Sequence, residues 1–170
     1  IDEPGVFITF NGMSYDEELI RRQFYWNLFE SYLTNTNGNS RLDILLMIHN
    51  VAAFFPNILN IPLFEGGPGV SIKQADIAAA NGFEIGDAHD AIADCKLMIS
   101  LLEKMNKHKP ELIDFFLKIS SKIGVQEAVQ KKGFLGLGEV FKREIFRYPV
   151  VPCGSKAPND LMFFLKTWPF

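Results

Sequence analysis

Apolar and polar residues along the chain recur at two different spacings, and the spacing assigns the elements. Val6-Phe7-Ile8-Thr9-Phe10 is a β-prone run closed by Asn11-Gly12, a dipeptide that favours a turn. Ser14 with Glu17 three residues on has the form of a capping box and predicts a helix over 14–33. A polar loop over 34–38 follows, and Ser40 with Asp43 predicts a second helix over 40–55, stopped by Pro56. Residues 56–70 are rich in Pro and Gly and read as a long surface loop. Ser71 with Gln74 opens a third helix, and Asn81-Gly82 closes it. In a fourth helix, over 89–105, the apolar positions Ile92, Cys95, Ile99 and Leu102 recur at helical spacing, and Cys95 reads as a small buried hydrophobe. Another helical pattern follows Pro110. After Gly133 the character changes, and 139–151 and 161–166 read as strands.

This order of elements predicts an α/β fold, with helices flanking a mixed sheet. The first strand has no evident partner within the first 130 residues, and one strand is not a sheet. Upstream sequence is therefore expected to supply the remaining strands, in keeping with a chain that starts at Ile1 rather than Met. The expected organisation is a first domain over 1–118, a link over 119–133 and the start of a small β-rich domain over 134–170. The glycine-rich run Gly133-Phe134-Leu135-Gly136-Leu137-Gly138 lacks the Lys-Ser/Thr ending of a phosphate-binding loop and reads as part of the link.

Composition adds little to that picture until it is mapped. The chain is 48% hydrophobic and 22% charged, ordinary for a soluble globular protein. Its longest uncharged run, between Asp43 and Glu65, contains His49, Asn50, Pro56, Asn57, Asn60 and Pro62, which argues against a membrane span. The formal net charge of −3 conceals an asymmetry: residues 1–103 carry 5 basic and 14 acidic side chains, whereas 104–147 carry 10 basic and 5 acidic. The acidic part suits cation-binding chemistry and the basic part a polyanion, although both also fit simple solvated faces. Cys95 and Cys153 stand in no metal-ligand spacing; this excludes a zinc ribbon and fits a reducing cytoplasm.

Two segments hold candidate chemistry. Asp16 stands at a helix start just after the first strand and its turn, at the edge of a sheet where α/β folds place ligands. The competing reading is that Asp16, Glu17 and Glu18 only complement the helix dipole. In Ala88-His89-Asp90-Ala91-Ile92-Ala93-Asp94, small residues leave room for a metal and a phosphate. Asp94 supplies a hard oxygen for Mg²⁺, and His89 is placed to take a proton from an attacking water. The competing reading makes Asp87 a helix cap, Asp90 a first-turn acid and His89 incidental. His49, alone on an apolar helix, reads as structural.

Together these segments resemble the DEDDh exonucleases, and among them bacterial exonuclease I. Phe10-Asn11-Gly12-Met13-Ser14-Tyr15-Asp16 is similar to that family's second motif, and His89-Asp90-Ala91-Ile92-Ala93-Asp94 to its third, a His followed five residues later by Asp. The stretches Asn39-Ser40-Arg41-Leu42-Asp43 and Lys73 to Gly82 also sit where exonuclease I has similar ones, so the likeness runs over about 6–118 and more faintly beyond. It implies a ribonuclease H-like exonuclease fold followed by the start of an SH3-like domain. The implied activity is 3′-to-5′ hydrolysis of single-stranded DNA to nucleoside monophosphates, in DNA repair and recombination. Two Mg²⁺ ions, or Mn²⁺ in their place, would serve it, held by four carboxylates. Asp16 and Asp94 match two of these ligands and His89 the general base. The other two belong to an Asp-x-Glu motif with no equivalent here, so the chain by itself is expected to be inactive.

The same resemblance places DNA contacts at Arg21 and Tyr32 on the first helix and at Lys73, where the family has a basic residue near the 3′ end. Lys73 replaces an Arg, which removes a forked phosphate contact, and Asp87 stands where the family has a neutral Asn. The neighbouring Phe24, Tyr25, Trp26 and Phe29 are expected in the core. Implied partners are single-stranded DNA and the single-stranded DNA-binding protein, for a bacterial cytoplasmic monomer with no membrane contact. The alternatives are a sibling exoribonuclease, of the oligoribonuclease or tRNA-trimming type, and a non-catalytic nucleic-acid-binding protein that kept the fold. The β-rich tail favours the DNA enzyme, because the RNA enzymes are usually compact.

Overall fold

A computed structural model describes residues 3–85, 90–132 and 135–150. The first strand, β1 (Val6–Thr9), does have a partner: it pairs in parallel with β2 (Ser40–Asp43), with Val6 opposite Ser40 and Thr9 opposite Asp43. Buried Asn39 sets this register. Its side chain accepts from Gly5 N–H at 2.8 Å and donates to Leu33 C=O at 2.7 Å. The expected helix over 40–55 therefore begins later, as α2 (Ile44–Phe54), and Asp43 is its cap, accepting from Leu45 N–H at 3.0 Å. Ser40-x-x-Asp43 has the spacing of a capping box, but pairing with β1 gives residues 40–43 backbone partners that a helix start would leave open.

Between the two strands lies α1 (Asp16–Trp26), shorter than expected. It stops because the chain turns at Asn27 and Leu28 takes a positive φ of 61°, after which a 3₁₀ turn spans Leu33–Asn35. Ser14 does not cap it: Tyr15 is in the cap position without a side-chain bond. Glu17 turns inward to Arg41 of β2 instead, forming a buried ion pair.

The core is centred on α2. Ile44, Met47, Ile48 and Val51 pack with Ile77 of α3 (Gln74–Ala80), Leu101 and Met105 of α4 (Ala91–His108), and Leu112 and Phe116 of α5 (Pro110–Ile119). A further helix, α6 (Lys122–Lys132), occupies much of the segment expected to be a link. On α4 the buried stripe is Leu97, Leu101 and Met105. Of the expected stripe, Ile92, Cys95 and Ile99 are exposed and Leu102 is half-buried, so Cys95 is not a core residue. Both stripes have helical spacing, and contact with α3 and α5 selects between them.

β3 (Leu135–Phe141) and β4 (Glu144–Val150) form an antiparallel hairpin through Lys142-Arg143, both at positive φ, as a two-residue turn demands. Gly136 and Gly138 are thus strand residues, not link. Gly138 N–H donates to Asn50 Oδ1 at 2.9 Å, and a Cβ there would stand 2.6 Å from Ala53 Cβ, so only glycine lets β3 lie against α2. The strand expected over 161–166 lies outside the described residues.

Asp43 accepts three backbone N–H bonds while only 3% exposed, which generates the first test. Asp43→Ala removes a helix cap and orphans buried donors, and is expected to destabilise the fold by about 2–4 kcal/mol. Urea unfolding followed by circular dichroism checks this, and a loss below about 1 kcal/mol would contradict it.

Candidate active site

The geometry begins at the turn after β1. Asn11 adopts a left-handed conformation (φ 59°), and its N–H and that of Met13 donate to the two oxygens of the Asp43 carboxylate, at 2.8 and 3.2 Å. Gly12 is pressed onto Thr9, where a Cβ would come within 2.4 Å of the Thr9 side chain. A 3₁₀ turn over Gly12–Ser14 then delivers the chain into α1. Its first three residues are acidic and have different fates. Glu17 is buried against Arg41, with Oε1 lacking a hydrogen-bond partner among the described residues. Glu18 pairs with Arg21 at 2.8 Å and Arg22 at 3.1 Å. Asp16 is exposed, with no side-chain hydrogen bond or ion pair among the described residues. Of the three, it alone is left to hold a ligand.

The second helix start is built differently. Asp90 caps α4, accepting from Ile92 N–H at 2.9 Å, so it takes the cap position that the competing reading gave to Asp87 and is not a first-turn acid. Asp94 lies in the first turn with its carboxylate exposed, and its C=O accepts from Gln74 Nε2 at 2.7 Å. That bond ties α4 to the start of α3, where Lys73 occupies the cap position with its side chain in solvent. Lys73 and Asp94 are therefore on two helix starts joined through Gln74. His89 and Asp87 lie outside the described residues.

Arg21 and Tyr32 come together: the guanidinium lies 4.8 Å from the Tyr32 ring centroid, and Tyr32 is exposed. The aromatic residues around them differ from expectation. Tyr25, Trp26 and Phe29 are each about two-thirds exposed (70%, 67% and 67%), and only Phe24 is half-buried, edge-on to Phe29 at 6.3 Å. Among the described residues the sheet beside α1 has two strands and offers it little to pack against, and the helix buries only Glu17.

No hydrogen bond among the described residues joins Asp16 to Asp94, and among the described residues no three His, Cys, Asp or Glu side chains are gathered closely enough to hold a metal ion. What the donors offer is two exposed carboxylates without competing cations, which suits a hard divalent ion in ligand type but not in number. Nor is the basic stretch a bare cationic patch. Lys104 lies over Phe83, Lys109 over Phe55 and Arg143 over Phe64, and Lys118 pairs with Glu127. Among the described residues no helix is long and apolar enough to cross a membrane.

No family model matches the chain. It is 33% identical over 128 residues to exodeoxyribonuclease I of Buchnera aphidicola subsp. Acyrthosiphon pisum, covering 75% of this chain and 31% of that protein. The chain thus spans about a third of the length of that relative. Among solved structures, Escherichia coli exonuclease I with a dT13 oligonucleotide superposes with a TM-score of 0.74 over 92% of this chain and 35% of that one, at 23% identity. The zinc-bound form of the E. coli enzyme with single-stranded DNA gives 0.64 at 28% identity, over 73% and 26% of the two chains. Its complex with the C-terminal peptide of the single-stranded DNA-binding protein gives 0.67 at 25%, over 82% and 30%. In sequence and in fold the chain is a relative of part of bacterial exodeoxyribonuclease I, and its α/β architecture is part of that ribonuclease H-like fold.

His49 is in the core, as a structural histidine should be. It is 8% exposed, its Nε2 has no hydrogen-bond partner among the described residues, and burial lowers its pKa to about 4. Between pH 6.5 and 4 the unfolded chain binds a proton that the folded chain refuses, so stability falls as pH falls through that window. The loss should reach about 2 kcal/mol at pH 5, before most carboxylates titrate. Chemical unfolding at pH 7 and pH 5 should show it, and His49→Leu should flatten the difference. An unchanged slope in the variant would remove His49 as its cause.

Proposed function

We propose that this chain is part of a divalent-metal-dependent exonuclease that releases nucleoside monophosphates from the 3′ end of single-stranded DNA, in repair and recombination in a bacterial cytoplasm. The observation that carries the reading is the state of Asp16 and Asp94. Each is an exposed, unpaired carboxylate in the first turn of a helix, within a chain related to exodeoxyribonuclease I. The zinc-bound, DNA-bound form of the E. coli enzyme supports metal dependence, and Mg²⁺ is the ion that fits two carboxylate oxygens and phosphate.

When bound, divalent ions would polarise the scissile phosphate and orient a water. Asp16 and Asp94 offer oxygens for them, and Asp87 borders the same segment. His89, by its place five residues before Asp94, is the group to take the proton of the attacking water. Arg21 and Tyr32 present charge and a ring face together, an arrangement that suits a stacked base beside a phosphate. Lys73, one residue before the Gln74 that bonds Asp94 C=O, offers an exposed cation for the terminal phosphate. The E. coli complex supports the single-stranded DNA-binding protein as a partner, and the intact protein is expected to be a monomer. We keep the division at 118 and 134, with the β3–β4 hairpin as the start of an SH3-like domain.

The test is cleavage of 5′-labelled single-stranded DNA and matched RNA by the full-length gene product in Mg²⁺. A DNA ladder shortening from the 3′ end is expected. Residues 1–170 alone should give none, because two carboxylates do not hold two ions. Cleavage of RNA only would transfer the reading to an exoribonuclease, and binding without cleavage to a non-catalytic protein. Asp94→Ala should abolish turnover with the melting temperature unchanged. His89→Ala should lower kcat by about 10²- to 10⁴-fold, and a near-wild-type rate would remove it as the base.

A further inference from the structure

The turn of the β3–β4 hairpin touches the loop over 62–71 at three points. Val70 N–H donates to Arg143 C=O at 2.9 Å, and the Arg143 guanidinium lies 3.3 Å from the Phe64 ring centroid. Gly69, at φ +94°, comes so close that a Cβ would stand 2.5 Å from Arg143 O. Arg143 itself has a φ of 69°, a conformation disfavoured for any residue but glycine, and its side chain is occupied by the stack.

The loop passes this contact on. Leu63 bridges Val70, Phe64 N–H donates to Gly69 C=O at 2.8 Å, and Ser71 N–H to Pro62 C=O at 2.8 Å, so 62–71 is a closed clasp. Buried Ser71 donates its hydroxyl to Asp76, and its oxygen lies 3.4 Å from Lys73 N–H. Gln74 continues the path to Asp94 C=O. Midway along its length the hairpin is anchored on α2, through Gly138 to Asn50 and Arg147 to Ala53 C=O. A strut braced on the core helix thus ends at the clasp that precedes Lys73.

We propose that Arg143 and Phe64 are positioning residues whose stack holds the clasp, and with it the Lys73 ammonium, in register with a phosphate of single-stranded nucleic acid. This rests on the reading of Lys73 as a backbone contact. Phe64 carries no charge, so any electrostatic consequence of removing it must act through a neighbour.

The experiment is binding of fluorescein-labelled (dT)16 to the full-length gene product in EDTA, over a range of salt concentrations. The variants are Phe64→Leu, Arg143→Ala and Arg143→Lys, the first two also combined with Lys73→Ala. Phe64→Leu and Arg143→Ala should each weaken binding about three- to tenfold and lower the salt slope by about 0.7, the share of one phosphate on a single strand. Neither should weaken it further once Lys73 is alanine, and Arg143→Lys should keep most of the affinity. Additive losses, or an unchanged salt slope in Phe64→Leu, would overturn the proposal and make Arg143 a direct contact or a structural residue. Lys73→Ala without effect would remove the Lys73 contact and this proposal with it. Failure to bind or cut single-stranded DNA at all would overturn the functional reading itself.

Discussion

The Asp43 carboxylate is the point at which strand, turn and helix are joined. Burying a charge is unfavourable unless the protein replaces the water it loses. Here one oxygen takes the N–H groups of Asn11 and Leu45, and the other that of Met13, at the positive end of α2. The three donors belong to the turn after β1 and to the first turn of α2. One side chain therefore fixes where β1 ends and where the most buried helix begins. The left-handed Asn11 and the contact of Gly12 on Thr9 are tolerable only in a turn held this firmly. The start of α1, and so the place of Asp16, follows from that turn.

From this frame the consecutive acids of α1 acquire separate roles. Their sequence suggests one shared task, complementing the helix dipole. Glu17 instead spends its charge on Arg41, and Glu18 on two arginines of its own helix. The buried pair braces α1 against β2, so Asp16 is presented from a fixed base without being neutralised itself. On α4 the same result is reached by other means, because Asp90 does the capping and Gln74 holds the backbone, leaving the Asp94 side chain unengaged. An unengaged carboxylate on a braced helix start is what a metal ligand requires before the metal arrives.

How much of this was legible depended on whether the cause was local. The first strand, the stops at Pro56 and Asn81-Gly82, the strand character after 139 and the structural nature of His49 are written in short windows of sequence, whereas the turn at Lys142-Arg143 and the strand placement of Gly136 and Gly138 are not. The strand over Ser40–Asp43 was hidden because a four-residue parallel pairing leaves no periodicity, and because Ser40 and Asp43 imitate a capping box. Helical spacing gave α4 correctly but not its buried face, since Ile92-Cys95-Ile99 and Leu97-Leu101-Met105 are equally periodic and only packing separates them. The Glu17–Arg41 pair joins residues 24 apart in the chain, beyond the reach of any local rule. Residue type alone points Tyr25, Trp26 and Phe29 to the core, but burial is a property of the surroundings, and all three are exposed. Of the candidate site, the motifs marked the two helix starts and the resemblance marked Arg21 and Tyr32, though not that they meet or that Tyr32 lies beyond the end of α1; His89 and Asp87 fall outside the described residues.

The charge asymmetry carries the same lesson into function. A basic stretch from 104 to 147 invites assignment to nucleic acid, yet Lys104, Lys109 and Arg143 lie over aromatic rings and Arg147 bonds a backbone carbonyl of α2. Cations placed so cover apolar surface with their stems and attach one element to the next. Their charge still adds to the long-range field, which hastens encounter with a polyanion without fixing where it binds. On the function proposed above, register would come from cations left in solvent, and Lys73, exposed one residue before the Gln74 that bonds Asp94 C=O, is one of them. The distribution of positive charge thus separates into a part that builds the scaffold and a part that can meet a phosphate, and the second part is small enough to be tested residue by residue.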